Sequence, residues 1–363
     1  MLLRGNFRIL LFYDVAEALD VDKLRELLGA RGSPVQRAFP RRTPEYIGFE
    51  RAPIVEAVEP VELKSGERFA CSIKYYAYAA VEAQLEVPFE CDWDTLLAVA
   101  ARWMNTADVE PCARETVRAH LKQVEPSVIR PSENWLQEQY FVIELQEIRA
   151  PGGSAPTAGE LLAEHGDPIA RLVRGETLPL SPRASEETLQ ASTSYYASDL
   201  LVVAPSAALV YDRPEDAAAT SQILEYARTQ LLEFRYYDNL MTRVLSGFYN
   251  ALDRKRSIFT ARRGLPRDAA HLNTIRLDVM ELTERIDNAI KFVSDAFYAR
   301  VYRLAASRMG VPDYRALVEQ KLRTAGELYD FMVDQFNEAR TFVLEVAIAI
   351  ACLLDVILLF RGR

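Results

Sequence analysis

The apolar positions of this chain change period near residue 212. Before that point they come mostly as short solid runs or every second residue, the pattern of strands with helices between them. Residues 7–13 (FRILLFY) predict a strand, and residues 20–28 predict a helix, with Leu19, Leu24, Leu27 and Leu28 at helical spacing. Residues 54–63 and 69–89 read as two further strands around Lys64, Ser65 and Gly66, which suit a hairpin turn. Residues 95–104 and 113–124 look helical, and residues 140–148 (YFVIELQEI) alternate like a strand. The order β, α, β, β, α, β predicts a ferredoxin-like α+β head. A linker with one or two short helices is expected near residues 150–182, marked by APGGSAPTAG, Pro179 and Pro182. Residues 199–211 (DLLVVAPSAALVY) then supply two short buried strands interrupted by Pro205, closing a head over residues 1–211.

Beyond Asp212 nothing reads as strand. Asp212 suits a helix cap, with Pro214, Glu215 and Asp216 in the first turn. Leu224, Ala227, Leu231, Phe234, Met241, Leu245, Phe248 and Leu252 follow three-and-four spacing, and Asp238 occupies the seam position between Phe234 and Met241. A second stripe runs from Leu272 to Ala296 and a third from Val318 to Val346. Gly310 ends one helix and Pro312 opens the next, so the two stripes are expected to form an antiparallel hairpin. The stripes predict a helical stalk over residues 212–340, as a coiled coil or as a compact bundle. Within it Arg235, Tyr236, Tyr237 and Asp238 form a candidate polar contact, because a carboxylate in a seam needs a partner.

Residues 341–360 (TFVLEVAIAIACLLDVILLF) read as a single C-terminal transmembrane helix. Twenty residues reach roughly 30 Å, the thickness of the hydrocarbon layer. Their Leu, Ile, Val and Phe side chains contribute roughly −4 to −8 kcal/mol to insertion, against about +5 to +7 kcal/mol for two acids at the centre. The acids, Glu345 and Asp355, lie off-centre and would need protonation, a headgroup or a partner, for which self-association is one remedy. The same run also suits a helix buried in a bundle. A tail of this kind predicts a tail-anchored protein with its N-terminus in the cytosol. The stalk hairpin would then bring Arg254, Lys255, Arg256, Arg262, Arg263 and Arg267 to anionic lipid headgroups, if they are more than a solvated linker or a contact for structured RNA.

Composition narrows the chemistry. At 363 residues there is room for two domains, and the net charge of −9 argues against broad or sequence-specific nucleic-acid binding. Cys71, Cys91, Cys112 and Cys352 show neither CxxC pairing nor zinc spacing and read as reduced thiols. No phosphate-cradling, dinucleotide, nucleophile-elbow or zincin motif is found, and His120, His165 and His271 are scattered. Asp92 and Asp94 suit a helix cap better than a cation site. The expectation is a chain without cofactor, metal or catalytic residues.

Residues 195–203 (YYASDLLVV), 230–238 (QLLEFRYYD) and 282–287 (LTERID), ahead of an acid-containing terminal run, resemble the required-for-meiotic-nuclear-division family of domain-of-unknown-function proteins. The resemblance covers residues 195–360. It implies a membrane-anchored protein without known enzymatic activity, whose mitochondrial relatives sit at the inner membrane and support organellar translation; this chain lacks their Arg-rich transit peptide, so a bacterial-type cytoplasmic membrane is the expected location. A membrane-tethered scaffold or assembly factor, homo-oligomeric and serving a protein partner such as the ribosome, is therefore the first expectation. A part in ion transport, by similarity to magnesium channels of the CorA type, and an enzyme in the head with unrecognised chemistry are the alternatives. Only Arg308-Met309-Gly310 echoes the channels' Gly-Met-Asn signature, and it lies outside any span.

Overall fold

The computed structural model describes residues 1–34, 53–149, 155–253, 265–292 and 296–361. Its centre is β1 (Leu2–Leu19), in which Phe7, Ile9, Leu11 and Tyr13 point to one side, Leu10 and Phe12 point to the other, and all six are buried. Burial on both faces explains why this strand reads as a solid apolar run rather than an alternating one. It pairs antiparallel with β5 (Ala80–Cys91) and with β6 (Val128–Arg149). The β6 backbone comes so close at Gly5 that a Cβ there would sit 1.8 Å from the Glu144 carbonyl oxygen, beside a register shift at Arg4/Gly5.

With β2 (Gly32–Pro34), β3 (Ile54–Glu62), β4 (Arg68–Tyr75), β7 (Ser192–Thr193), β8 (Leu200–Val203) and β9 (Ala207–Tyr211), the described residues form one sheet. Its order is β2-β3-β4-β5-β1-β6-β9-β8-β7. Neighbours are antiparallel except β6 and β9, which run parallel with Phe141 opposite Ala207. The turn at Lys64, Ser65 and Gly66 forms as expected, with Gly66 at φ 90° and its N–H donating to the Leu63 carbonyl.

The head is α+β but not ferredoxin-like. The run 69–89, which reads as one strand, folds back at residues 76–79 into β4 and β5. This inserts an extra strand between β3 and β1 and reverses the direction of everything beyond it. On the other edge β9, β8 and β7 extend the sheet.

The five helices of the head are α1 (Val21–Leu28), α2 (Trp93–Met104), α3 (Val109–Gln123), α4 (Ala158–Arg174) and α5 (Pro182–Leu189). Local caps start four of them. Asp20 accepts from Lys23 N, Asp92 from Thr95 N and Ser181 from Ala184 N, while Thr157 and Glu160 form a reciprocal capping box. Trp93, Leu96, Trp103, Val117, Leu161 and Leu172 from these helices share one core with Phe7, Ile9, Leu11, Ile73, Leu85 and Ile143 from the sheet. Each such side chain, fully buried, contributes about 1.5–3 kcal/mol.

The C-terminal half is helical. α6 (Pro214–Asp253), α7 (Leu265–Phe292), α8 (Ala296–Met309) and α9 (Val311–Arg361) follow one another, with Gly310 at φ 84° between the last two. The chain divides into two compact units, Met1–Tyr236 with Ile286–Pro312, and Tyr237–Arg285 with Asp313–Arg363. The first contains the sheet, the opening of α6 and α8, where Leu224, Leu231, Phe234, Val301 and Tyr302 are buried. The second is made of helices alone among its described residues, packed along a seam of Met241, Phe248, Leu272, Ile275, Val279, Leu282, Val318 and Ala325.

The expected transmembrane anchor is overturned. No helix among the described residues is long and apolar enough to cross a membrane. Residues 341–360 are the end of one 51-residue helix, α9, and Glu345 and Asp355 leave only residues 346–354 free of charge between them. That stretch spans about 14 Å, half of what a bilayer needs. The tail-anchored cytoplasmic-membrane location and the intramembrane role of Glu345 and Asp355 fall with it. Glu345 is exposed on α9. Of the basic loop, Arg254, Lys255, Arg256, Arg262 and Arg263 lie outside the described residues, as does the side chain of Arg267 at the start of α7.

Candidate functional site

The face of the sheet opposite the α1–α5 core is built from the alternate positions of the same strands, and these carry charge. In β5, Val81, Ala83 and Leu85 enter the core, which turns Glu82, Gln84 and Glu86 to the other side; in β6 the same alternation turns out Glu138, Tyr140 and Glu144. Register then sets them side by side. Lys74 of β4 lies opposite Glu82, Phe12 lies opposite both Glu82 and Glu138, and Arg8 lies opposite Glu86. α6 covers this face with Ser221, Glu225, Arg228 and Arg235, one stripe at three-and-four spacing.

Three clusters result. Lys74 Nζ lies 2.6 Å from Glu225 Oε1 and 3.6 Å from Glu82 Oε1, and the Tyr76 hydroxyl donates to Glu82 at 2.7 Å. Arg8 Nη1 is 2.9 Å from Glu144 Oε1, which also accepts from the Ser221 hydroxyl at 2.8 Å. Glu138 is held between two guanidinium groups, 2.5 Å from Arg228 Nη2 and in contact with Arg235 Nη1. Arg228 also donates to the Gln139 and Pro205 carbonyls and lies over the Tyr140 ring. A further bond joins Tyr78 to Thr229 at 2.9 Å.

Glu82, Glu138, Glu144 and Glu225 are each under 5% exposed, so their charges depend on these partners rather than on water. Burial, with repulsion from Glu225, pushes the Glu82 carboxyl up to about 7 although Lys74 and Tyr76 oppose the shift. Burial also raises Glu144, against Arg8 and Ser221. Burial alone would lower Lys74; Glu225 and Glu82 outweigh it and its pKa is raised. Burial pushes Arg228 down to about 10, which leaves it charged at neutral pH. Two carboxylates thus share one lysine at one end of the interface, and two guanidiniums share one carboxylate at the other. Such an arrangement fixes the rotation and axial position of α6 on the sheet.

The four stalk residues grouped by the sequence do not share one polar contact. Arg235 joins Glu138 in the first unit, while Asp238 pairs with Lys321 in the second, 2.5 Å from its Nζ, which also donates to Thr242 at 2.7 Å. Tyr236 and Tyr237 are half-buried. The Asp238–Lys321 pair keeps access to water, so Asp238→Leu is expected to cost about 1 kcal/mol or less in urea unfolding; a loss above roughly 3 kcal/mol would show a fully desolvated pair instead.

Glu82, Glu138, Glu144, Arg8 and Lys74 escaped the reading of the sequence. Their signal was present: Glu-x-Gln-x-Glu at 82–86 and Glu-x-Tyr-x-Val-x-Glu at 138–144 put polar groups on one face of strands whose other face is solidly apolar. What the chain does not display is that a helix covers that face.

Residues 4–217, which contain the sheet except the first two residues of β1, match the family model described as "Uncharacterized protein MJ0711, N-terminal domain". The uncharacterized protein MJ0711 of Methanocaldococcus jannaschii is 22% identical over 197 residues, 54% of this chain and 60% of that relative. The matched part of the chain thus spans about 60% of the relative's length. No solved structure matches. With more than half of its length matched, and the sheet and its charged face inside the match, the chain belongs to the family of the MJ0711 N-terminal domain.

Proposed function

We propose that this chain is a non-enzymatic scaffold or assembly factor that presents an α+β head and a helical unit to a protein partner. The observation that carries this reading is the distribution of exposed apolar side chains. Tyr249, Leu277, Met280, Phe331, Phe342, Leu344, Ile348 and Ile350 are 50–66% exposed, and all lie on the helices of the second unit. Single exposed apolar residues need no explanation, but a set this dense on one unit marks a surface for another macromolecule. The buried ion pairs of the first unit support the same role, since they hold α6 in one position where it leaves the sheet. The resemblance to the required-for-meiotic-nuclear-division family puts the ribosome first among partners to test, and a second copy of the chain next.

The test is site-specific photo-crosslinking of the full chain in cells from Leu277 and Ile348, with exposed Lys122 of α3 as the reference position. Enrichment of the same partner at both test positions supports the proposal, with ribosomal proteins favouring the translation reading and a crosslinked dimer favouring self-association. A product profile indistinguishable from that of Lys122 overturns it.

A further inference from the structure

α4 is broken near its middle. His165 has φ −126° and ψ 21°, outside the helical range, and its ring stacks on Trp93 with centroids 5.3 Å apart. Pro168, inside the same helix, has no N–H to offer the Glu164 carbonyl. At Gly166 the helix runs hard against α5, where a Cβ would sit 2.9 Å from Leu189 Cδ1.

Between the broken helix and α5 lies an open groove of about 690 Å³. Leu162, Leu180 and Leu189 give it apolar walls, Glu164, Asp167 and Glu186 give it carboxylates, and among the described residues no Lys, Arg or His lines it. Leu178, two residues before Leu180, is 73% exposed. Asp167 is met from outside the lining by Arg171 at 3.6 Å; Glu164 and Glu186 are exposed.

The lining is rich in acceptors and poor in donors, so the occupant it favours supplies cations. It is also open, whereas a small-molecule site encloses most of its ligand. An open groove with leucines between carboxylates matches a chain segment that carries apolar and basic side chains in alternating turns. We infer that the groove between α4 and α5 is a docking site for a basic amphipathic segment of a partner protein. Its leucine-like side chains lie on Leu162, Leu180 and Leu189, and its Lys or Arg side chains reach Glu164 and Glu186. This rests on the scaffold reading and names the partner chemistry that the head selects.

The probe is a fluorescein-labelled amphipathic Leu/Lys peptide of about fourteen residues, read by anisotropy on the full chain at physiological salt, where diffuse attraction to an acidic surface is screened. A scramble of the same composition without a helical apolar face serves as the comparison. Saturable binding is expected, weakened roughly tenfold or more by the scramble, by the double variant Glu164→Lys/Glu186→Lys and, separately, by Leu180→Asp. Each variant is first shown to unfold at the parent's urea midpoint, and at least one of the two, both placed at solvent-accessible positions, is required to pass. Equal binding of the scramble, or unchanged affinity in a correctly folded variant, overturns the inference. The assay reads the groove alone, so a negative result here leaves the crosslinking test on the helical unit to stand or fall separately.

Discussion

Glu138→Ala is expected to destabilise the first unit by about 3–5 kcal/mol, because it removes the one carboxylate between two guanidinium groups and leaves Arg228 buried without its counter-charge. Part of the loss should return in the double variant Glu138→Ala/Arg228→Met, which takes away the stranded charge as well as the partner. Urea unfolding followed by far-UV circular dichroism measures both. A single-variant loss below roughly 1 kcal/mol would mean that Arg228 is satisfied by the Gln139 and Pro205 carbonyls alone. Glu138→Gln is the milder control, since it keeps the volume and one acceptor oxygen while losing the charge.

Stability should also fall as pH rises through neutrality, with Glu82 as one contributor to the fall. Its folded pKa, about 7, lies above the ordinary value of 4.5, so the folded protein holds a proton that the unfolded chain has already released. The associated stability is fully present below about pH 4.5 and is lost as pH rises through about 7. A gap of this size is worth on the order of 3 kcal/mol by linkage. Glu144, Asp14 and Asp212 are raised as well and contribute in the same direction, so the total slope alone does not isolate Glu82. The difference between the parent and Glu82→Gln does. The variant, neutral at every pH, should match the parent near pH 5 and exceed it near pH 8.5, where the parent has ionised a carboxylate beside Glu225. The groups facing Glu82 are Lys74 and Tyr76 from the sheet and Glu225 from α6. Parallel pH profiles for parent and variant would place the proton elsewhere, with Lys74 then holding both carboxylates ionised.

Both expectations concern contacts between residues far apart in the chain, and this separation decides what the sequence made legible. The helix stripes of residues 224–248, 272–282 and 318–325 were readable because a helix writes its packing face into its nearest neighbours at three-and-four spacing. The cap at Asp92 and the turn at Gly66 are equally local. The turn at residues 76–79 was not readable: Tyr-Ala-Tyr-Ala carries none of the Gly, Asn or Pro that announce a reversal, and Ala79 takes φ 64° all the same. One unannounced turn was enough to make a ferredoxin-like order out of a larger sheet. The terminal run misled in the opposite way, since its composition resembles a span while its two acids divide it into stretches too short to be one.

By itself, then, the sequence determined that an α+β head gives way to long helices near residue 212, where the first and last of those helices begin, and many of the positions they bury. These follow from periodicity, caps and turns, all set by interactions within a few residues. Only the tertiary structure decided the strand order, the division into two units and the joining of Lys74, Glu82, Glu138 and Glu144 with Glu225, Arg228 and Arg235. The reason is physical. A strand's alternation says that one face differs from the other, but whether a charged face meets water or a helix bearing the opposite charges depends on which distant segment packs there, and no local preference encodes that choice.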